Sequence, residues 1–316
     1  MNDQFTHKRN EECTHAGAQP LGAPKVGAAP SGGAQGAELS PALSAKLEAL
    51  RAELRAHGAL GVCFSGGVDS SLLLAVALEE LGERCVALSA ASALTPQAET
   101  QGARRVCEEL GAQHIVLELE VEGWEAMRSN PPDRCYHCKQ EVFSRLQAAA
   151  DEWARTRGYI SEGEHLQLAE GSNLSDLQDY RPGRKAIQEL GVASPLEAAG
   201  LEKAEIRELS RALGLSTWNK PSSPCLATRF ECGSPITREL LTRVGAAEQL
   251  LEEAGFTSVR VRAHSHGALA RIETAPAQIA EALQWLQGGG NARLRELGFA
   301  HISLDTEGYQ RGSMNS

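Results

Sequence analysis

Residues 63–71 (CFSGGVDSS) join a short apolar run to a leucine-rich segment with helical periodicity. A strand that ends in Ser-Gly-Gly and continues directly into a helix directs several backbone N–H groups toward one point. The two glycines let an anion approach the backbone without meeting a Cβ atom. The stretch therefore predicts a phosphate-binding loop, although it lacks the lysine of the common ATP-binding loop.

The side chains of this loop suit a nucleotide and its metal ion. Ser65, Ser70 and Ser71 can donate hydroxyl hydrogen bonds, and Asp69 can hold Mg²⁺. The alternative is an ordinary glycine-containing turn in which the aspartate and the serines only cap the next helix.

Short apolar runs alternate with helical patterns around the loop. The runs LGVCFS, CVALSA, HIVLEL and LQLAEGSN are typical of strands. This alternation predicts an α/β fold with a parallel, doubly wound sheet, whose ligands lie at the carboxyl ends of the strands. A first helix is expected after Ser40, with four leucines on one face.

Composition divides the chain into three parts. Residues 1–38 are rich in Ala, Gly and Pro and indicate a disordered extension. Residues 39–230 hold the strand–helix alternation and form the expected ATP-binding domain. The pattern of residues 231–316 indicates a smaller α+β domain for substrate binding or oligomerisation, with helices at 237–254 and 276–286 and strands at 258–263 and 268–273.

Bulk properties narrow the class of protein. The net charge of −10 argues against broad binding of nucleic acid, so we expect no nucleic acid partner. No apolar stretch approaches the length of a membrane span, and no apolar signal segment occurs near the start, so we expect no membrane association and a cytoplasmic location. We also expect a homo-oligomer. The eight cysteines are then thiols or ligands rather than disulfides.

Three cysteines stand out by their setting. Cys135 and Cys138 form a CxxC pair after two prolines, and Cys225 follows Pro224. Three thiols without a clear fourth suit a [4Fe–4S] cluster with one open iron better than structural zinc. Zinc stays open as the alternative, because His137 or Cys232 could supply a fourth ligand. Three other thiols are expected to be packing residues (Cys63, Cys85 and Cys107).

The string at 65–70 (SGGVDS) resembles the PP-loop of the N-type ATP pyrophosphatases, which cleave ATP between the α- and β-phosphates. Five further segments resemble the LarE family of ATP-dependent sulfur transferases (NPPDRCYHCK, EGSNLSDLQDYRPGRKA, SPLEAAGLEKAEIRELSRALGL, WNKPSSPCLATRF and GYQRGSMN). The resemblance covers roughly residues 40–316. It implies a small-molecule nucleotide substrate, pyridinium-3,5-biscarboxylic acid mononucleotide, whose carboxylates are adenylated and converted to thiocarboxylates for the nickel-pincer cofactor of lactate racemase.

The resemblance also implies roles for individual residues. Cys225 matches a cysteine that some members sacrifice as the sulfur source, whereas others hold a [4Fe–4S] cluster with three cysteines. Because Cys135 and Cys138 are present, this chain resembles the cluster type. A further set is implied for the nucleotide pocket (Asn173, Asp176 and Asp179), and another for the substrate phosphate (Arg229, Arg260 and Arg262).

Two of these segments also have a purely structural interpretation. The segment GSNLSDLQD also fits a polar turn that caps a helix, and VRVR also fits a solvated edge strand. Glu231 and Cys232 replace the Pro-Tyr that usually follows the phenylalanine in this family. We place His264 and His266 in a surface loop rather than in a metal pair.

Two other functions compete. A cluster-dependent tRNA thiolation enzyme would share the ATP loop and the cysteines, but the net charge of −10 opposes it. An adenine-nucleotide sensor without catalysis would not need the three cysteines.

Overall fold

The computed structural model describes residues 39–121, 123–178 and 182–310. The extension 1–38 and Asp179 therefore lie outside the described residues. The elements up to residue 156 are α1 (Pro41–Ala56), β1 (Leu60–Cys63), α2 (Val68–Leu81), β2 (Cys85–Ala91), α3 (Gln97–Leu110), β3 (Gln113–Glu118), α4 (Glu125–Ser129) and α5 (Arg134–Thr156). The elements that follow are β4 (Leu168–Ala169), α6 (Pro182–Glu189), α7 (Pro195–Ala198), α8 (Lys203–Ala212), α9 (Arg238–Glu253), β5 (Arg260–His264), β6 (Leu269–Glu273), α10 (Ile279–Trp285), α11 (Asn291–Glu296) and β7 (His301–Leu304).

The first sheet is parallel, as predicted. Its four strands lie in the order β3-β2-β1-β4, and β1 pairs with β2 on one side and with β4 on the other. The segment 64–67 follows the central strand β1, and α2 begins at Val68. The glycine-rich loop therefore lies at the carboxyl edge of the sheet, which is where such folds bind ligands.

Both faces of this sheet are covered, because the side chains of β2 alternate between two cores. Cys85 and Ala87 pack in the core that contains α1 and α2, whereas Val86 and Leu88 pack in the core that contains α5. Helix α1 starts as expected, with the Ser40 hydroxyl accepting from the Leu43 N–H at 3.2 Å. Its four leucines are buried, and each burial stabilises the fold by about 1.5–3 kcal/mol.

The C-terminal residues form a second sheet of three strands in the order β5-β6-β7. Strands β5 and β6 are antiparallel, and β7 pairs parallel to β6. The predicted pattern of helices and strands is confirmed, except that the helix expected at 276–286 starts as a 3₁₀ turn (Pro276–Gln278) before α10. The division of the chain after residue 230 stays a prediction.

One histidine lies elsewhere than predicted. His264 is the last residue of β5, where it pairs with Leu269, and not a loop residue. The strand extends this far because residue 264 continues the antiparallel pairing with β6, and the imidazole Nδ1 of His264 lies 2.6 Å from the Glu231 carboxylate. Within the described residues, no helix is long and apolar enough to cross a membrane.

Candidate active site

Hydrogen bonds from its own serines stabilise the conformation of the glycine-rich loop. The Ser65 and Ser70 hydroxyls lie 3.1 Å apart, and the Ser65 hydroxyl accepts from the Gly67 N–H at 3.4 Å. Gly66 has a φ of +69°, and a Cβ there would lie 2.8 Å from the Ala103 Cα, so only glycine fits. Gly67 caps α2, and no side chain bonds to the N–H groups of the first turn in the described structure. These N–H groups are therefore available to an anion, and the helix dipole favours one there.

Ser71 differs from the other serines of the loop. Its side chain is fully buried, and its hydroxyl has no hydrogen-bond partner among the described residues. Its role in binding ATP stays a prediction.

Asp69 lies in the first turn of α2 and faces the loop that follows β4. One carboxylate oxygen accepts from the Asn173 side-chain amide at 3.2 Å, and the other contacts the Lys203 ammonium group. One carboxylate beside a phosphate-binding loop is the protein ligand set that Mg²⁺ commonly uses, with the phosphates supplying further oxygens. Asp69 therefore fits a magnesium site.

Asn173 and Asp176 belong to one turn. The Asp176 carboxylate accepts from the Asn173 backbone N–H at 3.2 Å, so the aspartate shapes the turn. Asn173 is buried and directs its amide to Asp69. The segment thus forms a polar turn, and it also brings the Asn173 side chain to the ATP loop. Asp179 lies outside the described residues.

Two lysines that the sequence analysis did not single out approach the loop. The Lys203 ammonium contacts Asp69 on one side. The Lys220 ammonium lies 2.9 Å from the Gly66 carbonyl oxygen and 2.8 Å from the Glu99 carboxylate. The loop string lacks a lysine of its own, and distant segments supply the positive charge. Lys220 lies within the quoted segment WNKPSSPCLATRF and Lys203 within SPLEAAGLEKAEIRELSRALGL, but nothing in either segment indicates a contact with the loop.

Two segments carry the three singled-out cysteines. Helix α5 carries Cys135 and Cys138 three residues apart, on one face. Cys225 precedes a short 3₁₀ turn (Leu226–Arg229), and its sulfur accepts from the Ala227 N–H at 3.4 Å. Burial, together with the charges of Cys225 and Cys135, raises the pKa of the Cys138 thiol to about 12. Cys225 is exposed as a residue, but desolvation of its sulfur raises the pKa of its thiol, against the lowering effects of the Ala227 N–H and Arg134. The Cys138 thiol thus lies within electrostatic range of the other two.

Arg134 and Asn130 hold the two cysteine segments together. The Arg134 guanidinium donates to the Ala227 carbonyl at 3.1 Å and to the Asn130 side chain at 2.5 Å. The amide of Asn130 donates to the Glu231 carbonyl at 2.7 Å. The contact of Arg134 with Ala227 and that of Asn130 with Glu231 were not found from the sequence, because each joins segments about a hundred residues apart.

Among the described residues, no group of three or more His, Cys, Asp or Glu side chains is placed to hold one metal ion. Three thiolates are nevertheless a donor set that an iron–sulfur cluster would take. His137 lies 3.3 Å from Asp133, and the Cys232 thiol is exposed. Cys135, Cys138 and Cys225 are thus the residues that could hold such a group.

The other thiols behave as packing residues. Cys85 and Cys107 are buried in the core that contains α1 and α2, and burial raises the pKa of each to about 12. Burial also raises the pKa of Cys63.

The arginines of the candidate phosphate set are buried, which corrects the solvated-strand interpretation of VRVR. Arg229 binds Glu248 through two hydrogen bonds of 2.9 Å, and Arg262 binds Glu273 at 3.0 and 2.8 Å. The strand can be buried because the carboxylates of Glu248 and Glu273 neutralise the guanidinium groups of Arg229 and Arg262.

Two of these arginines also fix the turn of Cys225. Arg229 donates to the Cys225 carbonyl at 3.3 Å, and Arg262 donates to the Thr228 carbonyl at 3.0 Å. Arg260 differs from both, since its guanidinium stacks on the Tyr309 ring at 4.8 Å and makes no carboxylate ion pair with a described residue. Burial and the neighbouring Arg229 lower the pKa of Arg260.

A cleft of about 680 Å³ lies at the carboxyl ends of β2 and β3. Its lining includes Ala91, Thr95, Glu118 and Arg238. The Leu94 carbonyl in the same loop accepts from the Leu226 N–H at 2.9 Å, next to Cys225. The cleft has the volume of a small-molecule site and adjoins the cysteine segment.

Comparison with known proteins gives relatives that match most of the chain. The asparagine synthase family model matches residues 44–151, which contain the loop. An uncharacterized protein of Synechocystis sp. is 38% identical over 274 residues, covering 86% of this chain and 98% of that protein. The pyridinium-3,5-bisthiocarboxylic acid mononucleotide synthase of Lactiplantibacillus plantarum is 36% identical over 274 residues, covering 86% of this chain and 95% of the synthase.

Likeness to a tRNA-modifying enzyme is weaker. A tRNA-specific 2-thiouridylase of Fusobacterium nucleatum is 26% identical over 178 residues, covering 52% of this chain and 48% of that enzyme. The match to the Lactiplantibacillus synthase, by contrast, covers most of both chains. The chain belongs to the LarE family of PP-loop proteins, the family of the pyridinium-3,5-bisthiocarboxylic acid mononucleotide synthase.

Proposed function

We propose that the protein is an ATP-dependent sulfur transferase that acts on pyridinium-3,5-biscarboxylic acid mononucleotide during synthesis of the nickel-pincer cofactor. The observation that carries the proposal is the hydrogen bond by which Arg134 joins the CxxC helix to the turn of Cys225, in a chain that also carries the PP-loop. A relative of nearly equal length is a synthase of the bisthiocarboxylic product. Membership in this family supports the substrate class, and the thiols supply a place for sulfur.

The first half-reaction is adenylation. A carboxylate oxygen of the substrate attacks the α-phosphorus of ATP, the bond between the α-phosphorus and the bridging oxygen breaks, and pyrophosphate leaves. The N–H groups at the start of α2, with Lys203 and Lys220 nearby, would bind the leaving pyrophosphate. Asp69 would hold the Mg²⁺ that neutralises the phosphates.

The second half-reaction transfers sulfur. A sulfur nucleophile attacks the activated carbonyl carbon, a carbon–sulfur bond forms, and AMP departs with the former carboxylate oxygen. When bound by the three thiolates, a [4Fe–4S] cluster would supply sulfide at its open iron. The alternative source is the Cys225 sulfur itself, whose loss by elimination leaves dehydroalanine. The presence of Cys135 and Cys138 in addition to Cys225 favours the renewable source, and a zinc site stays the alternative to the cluster.

In our proposal the three buried arginines have two different roles. Arg260 is the contact for the substrate phosphate, because its guanidinium makes no close ion pair with a carboxylate within the described part of the chain. Arg229 and Arg262 position the Cys225 turn through their backbone contacts. We further propose a cytoplasmic location, a homo-oligomeric state and a domain division at residues 38 and 230.

The test combines the protein, ATP, Mg²⁺ and the biscarboxylic mononucleotide under anaerobic conditions. We expect pyrophosphate and AMP to form only with the mononucleotide present, and the product to gain the mass of a sulfur-for-oxygen exchange. Bulk tRNA serves as the matched substrate control. Pyrophosphate release that depends on tRNA and not on the mononucleotide would replace the proposal with tRNA thiolation, and nucleotide binding without any release would indicate a sensor.

A further inference from the structure

Lys220 connects the ATP loop to the segment that carries Cys225. Its ammonium group lies 2.9 Å from the Gly66 carbonyl oxygen and 2.8 Å from the Glu99 carboxylate. Its side chain is 23% exposed, so it is screened from water but open to a ligand at the loop. Cys225 follows it by only five residues.

The ammonium occupies a position where a phosphate group would compete for it. Gly66 belongs to the same loop whose N–H groups, at the start of α2, favour an anion. A bound triphosphate carries several negative charges, whereas Glu99 carries one. A lysine side chain is long and flexible, so its ammonium group can leave Glu99 for the phosphates.

The connection to Cys225 is short and stiff. Both ends of the segment are anchored, because the Lys220 carbonyl accepts from Arg207 at 3.0 Å and the Leu226 N–H donates to the Leu94 carbonyl at 2.9 Å. Residues 221–223 between them are exposed. Pro221 and Pro224 restrict the backbone φ angles, so a displacement at residue 220 is passed along the segment rather than absorbed.

Lys203, the other lysine near the loop, cannot serve this purpose. It is the first residue of α8 and is held on Asp69. A rigid helix separates it from residues 213–225. Lys220 is therefore the one of these two lysines whose movement would reach Cys225.

We propose that Lys220 is a positioning residue that couples ATP binding to sulfur delivery. It contacts the phosphates when ATP binds, releases Glu99, and draws residues 221–225 into the conformation in which Cys225 faces the activated substrate. This inference rests on the proposed function, since it assumes that ATP binds at the loop and that Cys225 serves sulfur transfer.

The test is hydrogen–deuterium exchange of the full-length protein, handled anaerobically, with and without Mg²⁺ and α,β-methylene-ATP, whose bridging carbon prevents cleavage. Peptides that cover 64–71 report nucleotide binding, and peptides that cover 219–226 report coupling. In the wild type we expect slower exchange in both regions, by about threefold or more at 219–226. In Lys220→Met, saturating nucleotide should still protect 64–71 but leave 219–226 unchanged.

Two further variants complete the design. Lys46→Met removes a lysine from a comparable ion pair with Glu205 (2.7 Å, 32% exposed) and should respond like the wild type. Glu99→Gln releases Lys220 from its ion pair before nucleotide is added. Exchange at 219–226 without nucleotide should therefore be faster than in the wild type, and the change in exchange on adding nucleotide should differ from that of the wild type. This variant tests the coupling even if Lys220→Met fails to fold.

The outcomes separate the coupling from the function. Protection of 64–71 with no change at 219–226 in the wild type, or an unchanged response in Lys220→Met, would overturn the coupling alone. No protection of 64–71 in the wild type would overturn ATP binding at the loop, and with it both the proposed function and the coupling.

Discussion

The guanidinium of Arg134 donates a hydrogen bond to the carbonyl oxygen of Ala227 at 3.1 Å, across 93 residues of sequence. Arg134 is the first residue of α5, directly before Cys135, and Ala227 follows Cys225 by two residues. One side chain thus fixes the distance between the CxxC helix and the turn of the third thiol. It also places a positive charge beside three groups that must become thiolates to bind iron.

Replacing Arg134 should loosen this junction. We expect Arg134→Gln to lower the free energy of unfolding by about 1–3 kcal/mol, because the carbonyl of buried Ala227 and the side chain of buried Asn130 lose a charged donor. Iron and sulfide bound after anaerobic reconstitution should fall as well. Urea unfolding and metal analysis measure the two effects. Arg128→Gln is the control, since its ion pair with Glu125 is exposed, and a loss of equal size there would contradict the role of Arg134.

Asp69 should be required for the ATP half-reaction alone. Asp69→Asn keeps the size of the side chain but removes the charge that would hold Mg²⁺. Pyrophosphate release should fall by about a hundredfold or more, as is common when one electrostatic contact at the reacting centre is lost. Glu79→Gln provides the control at the far end of α2, where the carboxylate is exposed. Wild-type turnover of Asp69→Asn with saturating Mg²⁺ would remove this residue from the mechanism.

The buried arginines should separate into structural and binding roles. Arg229→Met leaves the buried Glu248 without its charge partner, so we expect a loss of about 3–5 kcal/mol in the free energy of unfolding. Arg260→Met breaks no ion pair with a carboxylate in the described structure, so its main effect should be a higher KM for the mononucleotide. Chemical unfolding and steady-state kinetics of the two variants give the comparison. The assignment fails if Arg260→Met costs as much stability as Arg229→Met while its KM stays unchanged.

Much of this architecture was predictable, because its signals are local. The string at 65–70 marks the end of β1 and the start of α2, and the alternation of apolar runs with helical patterns indicated the parallel sheet. The leucine spacing and Ser40 gave α1 to within a residue. Such features depend on neighbours in sequence, which is where pattern-based inference is strongest.

The contacts that build the site were not predictable, because they join distant segments. Lys203 and Lys220 reach the loop from 134 and 154 residues away, and neither carries a local signal of that role. The pattern VRVR gave no indication that Glu248 and Glu273 would neutralise two buried arginines. His264 was misplaced for the same reason, since its partner Glu231 lies 33 residues earlier.

The buried thiols predict a pH dependence of stability. Burial raises the pKa of Cys107 from 9.0 to about 12, so the folded protein retains this proton at a pH where the unfolded chain loses it. The thiol therefore stabilises the fold fully below pH 9, and this contribution is lost as pH rises toward 12. Between these limits each such thiol adds a slope of about 1.4 kcal/mol per pH unit.

Cys107→Ala should flatten that slope. The variant loses stability at every pH because its buried side chain is shortened, but its free energy of unfolding should fall less steeply above pH 9 than that of the wild type. Urea unfolding between pH 8 and about pH 11 gives the slopes. Cys232→Ala, at an exposed thiol, should leave the slope unchanged. Parallel curves for Cys107→Ala and the wild type would show that this thiol titrates normally in the fold.

The three clustered cysteines should act as one unit. We expect Cys135→Ala, Cys138→Ala and Cys225→Ala each to lose the brown chromophore of the reconstituted protein and the transfer of sulfur. Each should still form AMP and pyrophosphate, because none belongs to the ATP loop. Cys232→Ala is the matched control and should retain both activities. Full sulfur transfer by Cys135→Ala would contradict a site made of three thiols.

The mass of the intact protein after turnover tests the renewable three-thiol site most directly. Wild-type protein is allowed to convert the mononucleotide anaerobically with added sulfide, and protein and product are then weighed by mass spectrometry. We predict a thiocarboxylate product together with an unchanged polypeptide mass. A polypeptide lighter by the mass of H₂S, with dehydroalanine at residue 225, would contradict this site and identify Cys225 as a sulfur source that is consumed.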